Sequence, residues 1–153
     1  MLSRAFGKWE EIIAALALAV VFLSVVWGVI ARYIAPQPAT WSNEVATIGF
    51  AWLVFLGAAA AAKRRLHVGV DLVTARLSPA LQRIVAIVVG VFLAVALAYV
   101  AWLAVRIGLA SLHRPTPVLR LPMTVVHAAV AIGFASMALQ SAVEVLRLVR
   151  VRT

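Results

Sequence analysis

The chain has 153 residues, of which 65% are hydrophobic and only 12% charged, and its mean hydropathy is +1.08. Soluble domains are about half apolar and about one quarter charged, so this composition excludes a soluble monomer and indicates a membrane protein. The net charge of +9 needs an explanation other than nucleic-acid binding, and the absence of cysteine excludes disulfides, thiolate nucleophiles and cysteine-based metal sites.

Four apolar runs are long enough to cross a bilayer, which takes about 20 helical residues. They predict membrane spans at about 12–33, 42–62, 84–105 and 123–146, and prolines lie between the runs. We therefore predict an all-α integral membrane protein whose four transmembrane helices form a single membrane domain, residues 1–153.

The first span is longer than the hydrophobic region of a signal peptide, which has about 7 to 15 residues, and we interpret it as an uncleaved helix. Glu10 and Glu11 precede this span, and Glu44 stands near the start of the second. Because a helix N-terminus favours negative charge, the helix dipole is our main explanation for Glu10 and Glu11 and one of the explanations for Glu44. Arg32 and Glu44 flank one short turn, so they either form an ion pair, contact a partner, or reach separately into water.

The segment between the second and third spans has two adjoining faces. Apolar residues recur at helical spacing, and a polar row that includes His67 and Asp71 follows one residue on. We predict a short amphipathic helix at about 66–77 in the membrane interface, with basic residues such as Arg65 beside it. A plain polar connector is the alternative, because Gly69 weakens a helix by about 1 kcal/mol relative to alanine.

Small residues recur every three or four positions in the last two spans. The rows are Ala86, Gly90, Ala94 and Ala98 in the third span, and Ala131, Ala135, Ala138 and Ala142 in the fourth. Since lipid gives helices no hydrophobic reason to associate, such rows predict close packing of these two helices. The general abundance of alanine in membrane helices is the alternative explanation.

The distribution of cations predicts the orientation, because Lys and Arg accumulate on the cytoplasmic side of membrane proteins. Ten of the 14 Lys and Arg residues lie at the N-terminus, in the middle segment or at the C-terminus. The other four are Arg32, Arg106, Arg114 and Arg120. Both termini are therefore predicted to be cytoplasmic.

The sequence offers few groups for independent chemistry. Four of the five acids lie near the ends of the predicted spans and Asp71 lies in the segment between the second and third, which disfavours proton or sodium coupling by this chain alone. His67, His113 and His127 lie at unmatched depths, so no haem site is predicted and His127 is interpreted as a packing residue. We expect no catalytic residues, metal, cofactor or nucleic acid. A membrane anchor of a redox enzyme and a stand-alone small transporter remain alternatives.

Three stretches carry a family resemblance: WSNEVA at 41–46, FAWLVFLGAA at 50–59 and HVGVDL at 67–72. They closely resemble the small membrane subunit, DctQ-like, of tripartite ATP-independent periplasmic (TRAP) transporters. Thr116-Pro117 and Pro122 show a weaker resemblance to the same family. Chain length, four spans and cytoplasmic termini are in keeping with the resemblance.

The resemblance implies a non-enzymatic subunit of the bacterial inner membrane. Its partners would be a large polytopic membrane subunit (DctM-like), in which the substrate and sodium sites lie, a periplasmic solute-binding protein, and membrane lipids. The small subunit is expected to be a scaffold for sodium-coupled uptake of an organic acid or similar solute, whose identity depends on the other two subunits.

The candidate interface and structural residues are Arg32, Glu44, Gly57, Arg65, His67 and Asp71. Four of them, Glu44, Gly57, His67 and Asp71, match the family pattern by position. The family often has an acid where Asn43 stands and a base where Thr47 stands. These positions are four apart on one helix face, so an ion pair open to relatives is missing here.

Overall fold

The computed structural model of the chain describes residues 2–34, 39–65 and 78–150. They form four helices, which we number α1 (Leu2–Ile34), α2 (Thr40–Arg65), α3 (Pro79–Ala110) and α4 (Thr124–Arg150). Each overlaps one predicted span and contains a segment long and apolar enough to cross a membrane. The prediction of an all-helical protein with four such helices is confirmed. The helix predicted at 66–77 lies outside the described residues.

The helices extend beyond the apolar runs that predicted them. Because α1 begins at Leu2, Glu10 lies in its third turn, and neither α1 nor α2 has an acidic residue in its first turn. The helix dipole acts mainly within the first turn. The attribution of Glu10, Glu11 and Glu44 to the dipole is therefore wrong, and Glu10 and Glu44 are held by other contacts described below.

The helices pack in the spatial order α1, α2, α4, α3, since α1 packs on α2, α2 on α4, and α4 on α3. The end of α1, the start of α2, the end of α3 and the start of α4 share one end of the bundle. The chain between α3 and α4 forms a small hairpin at this end, residues 114–123, so we call it the hairpin end. There the Thr124 hydroxyl donates a hydrogen bond of 2.8 Å to the Gly108 carbonyl, which fastens the start of α4 to the end of α3.

The contact between α2 and α4 is close because α4 has a glycine at its centre. A Cβ atom at Gly133 would lie only 2.8 Å from the Phe55 carbonyl oxygen and 2.8 Å from the Phe55 Cβ. The neighbouring ring of Phe134 lies with its centroid 5.7 Å from that of Phe55. A residue without a side chain thus lets the two backbones approach, as is typical of helix pairs in membranes.

The small-residue rows predict the α3–α4 contact only in part. Ala98 and Ala135 are exposed, whereas Ala101, Ala104 and Gly108 are buried on the side of α3 that meets α4. Four residues turn a helix by more than one full turn, so a row at strict four-residue spacing winds away from a straight contact. The prediction is wrong at Ala98 for this reason, and it is also wrong at Ala135 of α4, which is exposed.

Large apolar side chains cover the rest of α3. Phe92, Val95 and Tyr99 are 71%, 65% and 61% exposed. An apolar surface of this extent is expected to meet lipid or another membrane protein. The chain therefore presents a surface that is suited to a hydrophobic environment along most of this helix.

Gly133→Ala is expected to lower the free energy of unfolding by about 1–3 kcal/mol, because the added methyl group meets the Phe55 backbone and forces α2 and α4 apart. Gly57→Ala is the matched control, since a Cβ at Gly57 meets nothing within 4 Å. Unfolding of both variants in detergent micelles measures the difference. Equal stabilities would contradict the proposed packing.

Candidate functional site

The connection from α3 to α4 forms a small hairpin at residues 114–123. Thr116 donates its amide to the Leu121 carbonyl at 2.7 Å, and Met123 donates its amide to the Arg114 carbonyl at 3.0 Å. Pro115 and Pro122 pair across it as an isolated bridge. Arg120, with a φ of 54°, takes the left-handed conformation that closes the turn. Prolines restrict the flanking backbone, so the hairpin has few alternative conformations.

The hairpin is fastened to α2 by Glu44. One carboxylate oxygen, Oε2, accepts hydrogen bonds from the Val118 amide at 3.0 Å and the Leu119 amide at 2.9 Å. The Thr116 side chain lies close enough to interact with the same carboxylate, and its hydroxyl accepts a hydrogen bond of 2.9 Å from the Leu121 amide. Successive amides in a turn form a concavity that binds anions, and here the anion is a side chain of the same protein.

Arg32 and Glu44 do not pair within the described part of the chain. Glu44 is engaged with Val118 and Leu119, while Arg32 is exposed at the end of α1 and lines a separate cavity. The two residues lie at the same end of the bundle, but the backbone of a distant segment holds the carboxylate instead.

A second polar cluster lies toward the opposite end of the bundle. Glu10 of α1 is 0% exposed and accepts a hydrogen bond from the Ser136 hydroxyl of α4. Gln140, one turn further along α4, directs its Nε2 to Glu10 Oε1 at 3.5 Å and to Ser136 Oγ at 3.2 Å. The cluster joins the first helix to the last, where a buried carboxylate requires hydrogen-bond partners.

The other sequence candidates have simpler surroundings. The Nδ1 of His127 lies 3.0 Å from the Met123 carbonyl oxygen, and its Cβ lies against Gly108. These contacts agree with the interpretation of His127 as a packing residue. Gly57 has open space beside it. The backbone of Arg65 ends α2, and His67 and Asp71 lie outside the described residues. No group of three potential metal ligands occurs among the residues that the structure describes.

The sequence prediction missed the partners of both Glu44 and Glu10. The amides of Val118 and Leu119 carry no side-chain signal, so nothing in the sequence pointed to them. Ser136 and Gln140 did offer a signal, because they are polar residues four apart on one face of an apolar helix. Polar residues in such a position commonly bond across helices in membranes.

The fold and this site define a multi-pass membrane protein in which polar groups hold helices together. Comparison with known proteins gives its family. Residues 21–151 match the model of the family described as "Tripartite ATP-independent periplasmic transporters, DctQ component". The chain belongs to this family, so it is a small subunit of a transporter and not an enzyme, and the resemblance found in the sequence is confirmed.

A curated relative agrees with the family. The sialic acid TRAP transporter small permease protein SiaQ of Vibrio cholerae serotype O1 is 30% identical over 105 residues. The alignment covers 65% of this chain and 61% of the relative. Glu44, the 114–123 hairpin, Ser136 and Gln140 all lie within the family match, whereas Glu10 precedes it.

Glu44→Ala is expected to speed hydrogen exchange at the Val118 and Leu119 amides, because both donors lose their shared acceptor. Hydrogen-exchange mass spectrometry of residues 114–123 measures the effect. Glu144→Ala is the control, since Glu144 contacts Arg147 at 3.8 Å on α4, well away from the hairpin. Exchange that is unchanged in Glu44→Ala would show that the carboxylate does not hold the hairpin.

Ser136→Ala is expected to lower the free energy of unfolding by about 0.6–2 kcal/mol, because Glu10 loses a buried hydrogen-bond donor. Thr47→Ala serves as the control: that hydroxyl is exposed and bonds only within its own helix, to the Asn43 carbonyl at 2.8 Å. Unfolding of the two variants in the same micelles is compared. A loss that is no larger in Ser136→Ala than in Thr47→Ala would mean that the cluster does not stabilise the bundle.

Proposed function

We propose that this chain is the small subunit of a bacterial inner-membrane system for sodium-coupled, binding-protein-dependent uptake. The observation that carries the proposal is the family match across residues 21–151. The relative from Vibrio cholerae is named as part of a sialic acid transporter. For this chain we propose an organic acid or a similar solute, recognised by the other two subunits.

The proposed role is that of a scaffold for the large polytopic subunit. Glu10 and Glu44 are both bonded to groups of this chain, at Ser136 and at the hairpin amides. These acids thus support the shape of the bundle, and the proposal assigns the ion and solute ligands to the large subunit. A transporter that moves one part against another needs a part that stays fixed, and a braced helical bundle is suited to that task.

One face of α2 is our proposed contact with the large subunit. Val54, Ala58 and Ala61 are exposed on this face, and Gly57 has nothing within 4 Å of the position of a Cβ. Small residues let a second helix come close enough for extensive van der Waals contact in the membrane. The exposed apolar side chains of α3 provide further surface for lipid.

The proposed orientation places both termini in the cytoplasm and the hairpin end at the periplasm. The hairpin end carries four exposed cations: Arg32, Arg106, Arg114 and Arg120. In this orientation it is the end that a periplasmic binding protein meets. The interfacial helix proposed at 66–77, with Arg65, His67 and Asp71, then rests on the cytoplasmic headgroups.

Reconstituted uptake tests the proposed function. Proteoliposomes that contain this chain, the large subunit of the same proposed transporter and its binding protein are expected to accumulate the bound solute only with an inward sodium gradient. Vesicles with this chain alone are expected to show none. Uptake by this chain alone would refute the scaffold role, and a haem absorption band in the purified protein would favour a redox anchor.

Gly57→Leu separates the partner contact from the fold in the same assay. The new side chain projects into open space, so the stability of the chain alone is expected to stay within about 0.5 kcal/mol of the original. Co-purification with the large subunit and sodium-dependent uptake are expected to fall together. Phe92→Leu, an apolar change at an exposed position of α3, is the control. Undiminished co-purification of Gly57→Leu would place the interface elsewhere.

A further inference from the structure

A cavity of about 240 Å³ lies at the hairpin end, between the end of α1 and the start of α2. The two helices touch at its wall, since a Cβ at Gly28 would lie 2.6 Å from the Ser42 hydroxyl oxygen. Ser42 is itself fastened by a hydrogen bond of 2.7 Å from its hydroxyl to the Ala39 carbonyl. The backbone around the cavity is therefore held in place by contacts of its own.

The lining of the cavity changes from apolar to polar along the helix axis. Val25 and Val29 line its deeper part, and Arg32 and Tyr33 follow toward the end of α1. Seven residues separate Val25 from Arg32, which corresponds to about 10 Å along the helix. The deep part thus faces the hydrocarbon region of a membrane, and the shallow part faces the headgroup region.

The start of α2 supplies further polar groups to the shallow part. Thr40 offers a hydroxyl group and Asn43 an amide group, and both residues line the cavity with Arg32. Each of these three side chains can donate a hydrogen bond to an anion. The guanidinium of arginine suits a phosphate in particular, because its donors form a planar fork that two oxygens can accept.

The cavity carries a positive charge that this chain does not neutralise from within it. Arg32 is the one charged residue among the described residues that line it. Glu44 follows Asn43 directly and was one candidate partner of Arg32, but its Oε2 accepts hydrogen bonds from Val118 and Leu119. The hairpin thus engages this carboxylate, and the described lining of the cavity, with one cation and no acid, is complementary to an anion.

We propose that this cavity binds the phosphodiester headgroup of an anionic phospholipid. The phosphate accepts hydrogen bonds from Arg32, Thr40 and Asn43, and the upper part of one acyl chain lies against Val25 and Val29. A free phosphate or a carboxylate from a partner protein fits only the polar half of the cavity. A phospholipid fits both halves, because its own polarity changes along the membrane normal in the same direction.

Native mass spectrometry of the full chain tests this proposal. The protein is purified in a mild detergent that contains phosphatidylglycerol and phosphatidylcholine in equal amounts and with identical acyl chains. We expect one tightly retained phosphatidylglycerol. Arg32→Gln is expected to reduce its retention about fivefold, because a basic residue at a membrane surface contributes about this factor to the binding of anionic lipid.

Three further variants make the result specific to the cavity. Asn43→Asp places a carboxylate beside Arg32 and is expected to reduce retention as Arg32→Gln does. Arg32→Lys keeps the charge and is expected to restore most of the binding. Arg106→Gln is the matched control, since Arg106 is an exposed arginine at the same end of the bundle whose guanidinium lies 5.1 Å from the Trp102 ring centroid on α3. It is expected to leave retention unchanged.

The remaining outcomes would overturn the proposal. Equal losses in Arg32→Gln and Arg106→Gln would show general attraction of anionic lipid to surface cations. Displacement of the lipid by inorganic phosphate at millimolar concentration would show a site for free anions. Absence of retained phosphatidylglycerol, together with protection of Arg32 by the binding protein or the large subunit, would show a protein interface instead.

Discussion

The close approach of α2 to α4 sets the arrangement of the whole chain, because it joins the pair α1–α2 to the pair α3–α4. At its centre Gly133 lets the α4 backbone reach that of Phe55. Toward the hairpin end Glu44 holds the amides of Val118 and Leu119, and toward the opposite end Glu10 accepts the Ser136 hydroxyl. The seam between the pairs thus has an apolar centre with a carboxylate contact on either side.

This arrangement follows from the solvent. Lipid gives no hydrophobic advantage to helix association. Contact between helices therefore depends on close packing and on polar groups that find no better hydrogen-bond partner in the lipid. Gly133 supplies the packing, and Glu10 and Glu44 supply the polar contacts. The scarcity of acids in the sequence is informative for this reason, since two of the five acids lie at the contacts between helix pairs.

The four helices were predictable from the sequence, because an apolar run of about 20 residues has few alternatives to a spanning helix. The contacts between the helices were less predictable from the sequence. The hairpin amides that hold Glu44 come from backbone 74 and 75 residues away and leave no mark on the side chains. The small-residue rows gave the right pair of helices, α3 and α4, but placed Ala98 on the wrong side of α3 because a four-residue row winds around the helix. Glu44 and Gly57 lie within the stretches that carry the family resemblance, but their surroundings are known only from the packing of the helices.

The distance along the chain between Glu44 and its hairpin partners has a consequence for biosynthesis. At about 5 to 20 residues per second, a ribosome makes the 74 residues between them in roughly 4 to 15 s. The α1–α2 pair can form during this delay, while the carboxylate still contacts water or lipid headgroups. The emergence of Val118 and Leu119 then draws it into the finished bundle. A newly made chain thus passes through a half-assembled form in which this end remains open, and the last helix pair to enter the membrane is the one that closes it.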